Sequence, residues 1–146
     1  MDHTFRDAVE STVDIKHGFK SGLTALGKNS KKIFPEDSRK LQGSVDIDSE
    51  TRDVYPNESR WDYCLGYNDK AYFVEVHPGN EVSVVLKKLE WLKKWLHDSA
   101  PKLNAIKAEN AFHWVTSGNV ALIHGSSQYR AAVSKHLLPK TKLVLK

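Results

Sequence analysis

Apolar and polar residues alternate in two different periods along this chain, and the change of period marks out its elements. Over 4–27 the apolar positions Phe5, Ala8, Val9, Thr12, Val13 and Ile15 recur at a rough 3.6-residue spacing, which predicts a helix. Gly18 would end its first segment, and SGLTALG would form a second short helix ending at Gly27. Residues 28–40 are basic and polar, with Pro35, and read as loop. QGSVDID, 42–48, alternates with Val45 and Ile47 inward, which predicts a strand, and 49–59 reads as another loop.

The pattern sharpens after residue 60. Residues 61–67 and 70–77 read as two strands joined at Asn68-Asp69, a tight hairpin turn, and Pro78-Gly79 stops the second. Asn80 is the expected N-cap of a helix over 81–97, with Glu81 favourable to its dipole. Val82, Val85, Leu89, Leu92 and Leu96 make its core stripe, and Trp91 and Trp95 widen it. Lys87, Glu90 and Lys94 face away. Pro101 lies beyond its end. Residues 111–115 and 119–124 read as strands, 128–138 as a helix closed by Pro139, and 142–145 as a last strand or docked tail. The helix between the strands at 70–77 and 111–115 is a crossover, so the sheet should be mixed, with helices on both faces. The expectation is one α/β domain over 1–146, with a central mixed sheet of four to five strands. A loop-rich segment near 28–59 should be its least ordered part.

Composition excludes more than it selects. Of 146 residues, 40% are apolar and 27% charged, an ordinary globular balance. No apolar run reaches membrane-spanning length and the first 25 residues lack a signal-peptide core, so no membrane partner and a cytoplasmic location are expected. Cys64 is the sole cysteine, which excludes an intrachain disulfide and a thiolate zinc site, and it reads as a small buried hydrophobe. His113, His124 and His136 are too scattered for a zinc triad. The net charge of +4 permits a polyanion partner without requiring one. Lys28, Lys31, Lys32, Arg39 and Lys40 crowd one segment. Lys87, Lys88, Lys93 and Lys94 crowd the long helix, and Lys135, Lys140, Lys142 and Lys146 the C-terminus. Lys31, Lys32, Arg39, Lys40, Arg60 and Lys87 are the candidate contacts to nucleic acid. Each cluster reads equally well as a solvated face.

The chemistry concentrates in RWDYCLGYNDKAYFVEVH, 60–77. Residues 62 and 75 are equidistant from the hairpin turn, so Asp62 and Glu75 should oppose one another on one face, with His77 beside Glu75. Two carboxylates that close repel unless a cation lies between them. A divalent metal with oxygen ligands is the usual answer, and edge-strand carboxylates facing solvent are the alternative.

This stretch resembles the PD-(D/E)XK nuclease superfamily, the restriction-endonuclease-like and Holliday junction resolvase-like core, over roughly residues 60–116. The resemblance implies a metal-dependent nuclease acting on DNA or RNA, with Asp62 and Glu75 as ligands of Mg²⁺ (or Mn²⁺). It also implies a third acidic residue, Glu10, on the first helix. The family's final Lys is replaced here by His77, which would orient or deprotonate the attacking water, or ligate the metal. Lys87 or Lys88 would otherwise supply the basic group, as in members that move it to the following helix. The other reading is a catalytically inactive module of the same fold that binds nucleic acid or a protein partner. Resolvase-like members are often dimers, which makes a homodimer through the two-tryptophan helix face a candidate assembly.

Three smaller signals complete the reading. Asp46 and Asp48 are a solvated strand pair or an extra ligand. Trp61 and Tyr55, before Asp62, are the better base-stacking candidates among residues that otherwise read as core. Gly-Ser-Ser 125–127 is a capped helix start, by Ser126 or Ser127, or a phosphate-binding helix N-terminus.

Overall fold

A computed structural model describes residues 4–118 and 126–146. The hairpin is the centre of the molecule. Strands β3 (Tyr63–Tyr67) and β4 (Lys70–His77) pair antiparallel, with Tyr63 opposite Val74 and Tyr67 opposite Lys70. Asn68 and Asp69 both take positive φ, 52° and 64°, which a two-residue turn needs and these side chains tolerate. The Gln42 amide locks the turn from the neighbouring strand. It donates to Asp69 Oδ1 (2.6 Å) and accepts from the Asp69 N–H (2.9 Å).

Around the hairpin the central sheet is five-stranded and mixed, in the order β2-β3-β4-β5-β6. Strand β2 (Leu41–Asp46) is antiparallel to β3. Strand β5 (Lys107–Thr116) is parallel to β4, and β6 (Pro139–Lys140) is parallel to β5. The parallel step requires the crossover, made by α3 (Val82–Asp98) and α4 (Pro101–Ala105). One sheet face, with Cys64, Ala71, Phe73 and Trp114, packs on Val85, Leu89, Leu92 and Leu96 of α3. It also meets Leu103 of α4, Phe5 and Val9 of α1 (Thr4–Glu10), and Ala132 of α5 (Ser127–Ser134). The other face carries Leu65, Tyr67, Val74 and Val115. It is covered by Leu26 of a 3-10 segment, Thr24–Lys32, and by a parallel ribbon of β1 (Ile33–Pro35) and β7 (Leu143–Leu145). Helical segments flank both faces, and the one long helix among the described residues, α3, sits on one.

Several boundaries differ from the sequence reading. The expected helix over 4–27 breaks after Glu10 into turns of 3-10 helix. Val13 is 76% exposed, because the apolar stripe drifts out of phase after Thr12. The segment near 28–59 is built rather than loop-rich: it holds β1, β2 and α2 (Ile47–Thr51). The strand expected over 42–48 stops at Asp46 because that carboxylate accepts the Ser49 N–H (2.9 Å) and caps α2. Glu81, not Asn80, occupies the N-cap position of α3. The helix over 128–138 ends at Ser134; two residues later His136 takes the left-handed conformation (φ 54°) that stops it. Ser126 caps that helix, accepting the Tyr129 N–H (3.1 Å). The strand expected over 119–124, with His124 and Gly125, lies outside the described residues. No helix among the described residues is long and apolar enough to cross a membrane.

Candidate functional site: two opposed carboxylates on one lysine

The hairpin register carries Asp62 to the position opposite Glu75, one step beyond the last ladder pair. The two side chains then bond crosswise to the strands. The Asp62 N–H donates to Glu75 Oε1 (3.1 Å), and the Val76 N–H donates to Asp62 Oδ2 (3.0 Å). Their remaining oxygens, Asp62 Oδ1 and Glu75 Oε2, converge on one cation, the Nζ of Lys88 from α3. Nζ lies 3.4 Å from Asp62 Oδ1 and donates to Glu75 Oε2. Glu75 is fully buried, and the Lys88 side chain is 15% exposed.

His77 extends the cluster. Its Nδ1 lies 3.5 Å from Glu75 Oε2 and its Nε2 bonds Glu81 Oε1 at 3.0 Å. The His77 carbonyl accepts the indole N–H of Trp114 (3.0 Å), which fixes the end of β4. The five charges therefore alternate in sign when His77 is protonated: Asp62, Lys88, Glu75, His77, Glu81.

Burial and crowding set the protonation states. Burial first, then the charge of Glu75, pushes the Asp62 carboxyl up to about 7, against the pull of Lys88 and the Val76 N–H. Burial works to lower the Lys88 ammonium, but Glu75 and Asp62 outweigh it and its pKa is raised. His77 is raised, chiefly by its bond to Glu75 and against its own burial. A lysine held charged beside a carboxyl that titrates near neutrality is an arrangement fitted to moving a proton or meeting an anion.

Of the sequence candidates, Asp62, Glu75, His77 and Lys88 come together. Glu10 does not join them in any bond: it is exposed and paired with Arg6 on its own helix (3.3 Å). Lys87, one residue from Lys88, points to solvent beside Trp91 and Lys94. Asp48 and Arg60 pair with each other (2.8 Å), and Arg60 also donates to the Tyr55 carbonyl (2.7 Å), so Arg60 ties its own loop. Lys32 donates to the Thr116 carbonyl (3.1 Å), and Arg39 is engaged by Asp37, while Lys31 and Lys40 are exposed. Trp61 is fully buried in the core and is no stacking platform. Tyr55 lies edge-on to Trp91 and donates to Asp14 (3.0 Å). Cys64 is a buried hydrophobe whose thiol burial pushes up.

Sequence reasoning missed Glu81 as part of the cluster, although its four-residue spacing from His77 was visible. It also left Lys87 and Lys88 equivalent. Helical phase separates them: Lys88 lies three residues after Val85 and four before Leu92, on the stripe that faces the sheet. Among the described residues no group of three or more His, Cys, Asp and Glu is arranged to hold a metal ion. Compared with protein-family models, curated proteins and solved structures, the chain matches none.

Proposed function

We propose that this protein is a metal-dependent phosphodiesterase acting on DNA or RNA, with Lys88 in the role that the resemblance gives to a lysine two residues after Glu75. One observation carries the reading: Asp62 Oδ1 and Glu75 Oε2 converge on a single cation position between the sheet and α3. Paired oxygens of that kind suit a hard divalent cation, Mg²⁺ or Mn²⁺, whose remaining ligands are water and phosphate. Asp62 and Glu75 are the residues that would hold it. Bound there, it would supply charge on the phosphate and acidify water. The chain's own groups do the rest. Lys88, displaced from the two oxygens by the cation, would offer its positive charge to a phosphate oxygen. His77, steadied by Glu81, accepts and returns a proton at its ring nitrogens. Glu75 itself is fully buried.

A second reading rests on the same contact. Lys88 already neutralises both carboxylates, so the cluster is self-sufficient as a buried ion triad. That fits a non-catalytic module of nuclease fold that binds nucleic acid or a protein.

Cleavage separates the two. Wild type, Asp62→Asn, Glu75→Gln and Lys88→Met are incubated with Mg²⁺ or Mn²⁺ and duplex, branched and single-stranded DNA, and RNA. The first reading expects cleavage that chelation abolishes and that each substitution lowers by about a hundredfold or more. Absence of cleavage from every substrate, with salt-dependent binding retained, would select the second.

A further inference from the structure

On the other, ribbon-covered face of the sheet, where His113 pairs with Val74 and Lys140 with Val115, lies a second titratable pair. His113 of β5 is 5% exposed and makes two bonds. Its Nε2 bonds the Asn110 carbonyl at 2.8 Å, and because a carbonyl only accepts, Nε2 carries the proton. Nδ1 is then an acceptor, and it accepts a hydrogen bond from Lys140 Nζ at 3.0 Å. The imidazole is thereby fixed as a neutral acceptor that aims the Lys140 ammonium. Burial, and then the charge of Lys140, pushes His113 down to about 4, so it stays neutral; burial also lowers Lys140.

Lys140 lacks what Lys88 has. Among the described residues no carboxylate stands within ion-pair distance of it, and its one side-chain partner is uncharged. A half-buried ammonium without a counter-ion is costly. The surroundings add positive charge. Lys140 and His113 line two neighbouring cavities, of about 290 and 570 Å³. Among the described residues, Lys142 and Lys146 line the larger, with Glu109 as its one carboxylate side chain, and His136 lines the smaller, which has none. Lys142 is steadied over the Phe34 ring at 5.4 Å.

We propose that this cleft is a phosphoryl-binding site, with Lys140 Nζ, aimed by His113, as its central contact and Lys142 and Lys146 at its rim. The required chemistry is a compact anion with several acceptor oxygens, which an ammonium and flanking lysines recognise as a point charge. Free phosphate, the phosphate of a mononucleotide and the phosphodiester of a strand share that chemistry. The proposal is independent of the Asp62–Glu75 reading.

The test is a titration of the full chain followed by amide and imidazole NMR. The probes are inorganic phosphate, a 5′-mononucleotide and a short single-stranded oligonucleotide, at constant ionic strength with chloride as reference. Saturable shifts are expected at residues 110, 113 and 140–142 with at least one probe. Lys140→Met should weaken that probe by about ten- to a hundredfold, the value of a charge-assisted bond. Lys142→Met should weaken it less, and an unchanged amide spectrum elsewhere would show that both variants fold. Bound anion should also raise the Lys140 pKa. Preference for the oligonucleotide assigns the site to a strand; preference for phosphate or mononucleotide assigns it to a small ligand. Either supports the site. Shifts that do not saturate with any probe, or that persist unchanged in Lys140→Met, would overturn it.

Discussion

Asp62 and Glu75 sit side by side because the hairpin register leaves them no other place, and Lys88 makes that proximity tolerable. Removing the lysine should leave two carboxylates facing one another, one of them fully buried. Lys88→Met is therefore expected to cost about 3–5 kcal/mol of stability at pH 8, measured by urea unfolding. A cost within about 1 kcal/mol, the size of an exposed pair, would show that the triad holds nothing together. Asp62 titrates in the opposite sense to most carboxyls. Its folded pKa is near 7 and an unfolded aspartate's near 3.9, so the native state binds the extra proton between those values. Its contribution is present in acid and is lost as pH rises through about 7. His77, also raised, has the same sign. His113, pushed down to about 4, works the other way, losing stability as pH falls below the usual histidine value. The difference between wild type and Asp62→Asn isolates the first effect. Wild-type stability relative to the variant should decline from pH 4 to pH 7, and parallel profiles would contradict the raised pKa.

At the scale of elements, what was legible in the sequence is what is local. The hairpin could be read because period-two alternation, Asn68-Asp69 and Pro78 all lie within eighteen residues. The same register then placed Asp62 opposite Glu75. The helix α3 could be read from its stripe, and phase alone would have assigned Lys88 to the sheet side. The ribbon could not be read: β1 and β7 pair Ile33 with Leu143, and nothing in either short segment announces the other. Nor could the end of β2, since Asp46 looks like a strand residue until its side chain is seen to cap α2. One close approach decides how α1 meets the sheet. A Cβ at Gly66 would lie 2.3 Å from Phe5 Cγ, so the strand comes against the ring only because residue 66 has no side chain. Gly66→Ala should cost about 1–3 kcal/mol through forced displacement of α1. Thermal unfolding of Gly66→Ala with and without Phe5→Leu checks the cause, for the smaller side chain should recover part of the loss. Equal losses in both backgrounds would place the strain elsewhere.

Across the whole molecule the cluster is a product of folding, since its parts come from the residue before β3, from β4 and from α3, and meet only when the crossover helix docks. A divalent cation that uses Asp62 and Glu75 must therefore bind the native chain and not the unfolded one. It should raise the unfolding temperature by mass action. The size of that rise carries a second signature. The ligand form of Asp62 is the carboxylate, and burial with the Glu75 charge keeps this group largely protonated below about pH 7. Metal and proton compete for the same oxygen, so the rise with Mn²⁺ or Mg²⁺ should be small at pH 6 and larger at pH 8. Lys88 adds to the competition, because its ammonium holds the same two oxygens. Replacing it by methionine should enlarge the metal-induced rise even as it lowers the starting stability, while Asp62→Asn should abolish the rise at both pH values. Calorimetric scans of the three proteins, with and without metal and with added salt matched, give the comparison. A rise that is equal at pH 6 and pH 8, or that survives in Asp62→Asn, would place the cation somewhere other than between these carboxylates. No rise in wild type or in Lys88→Met would leave the cluster to the lysine alone.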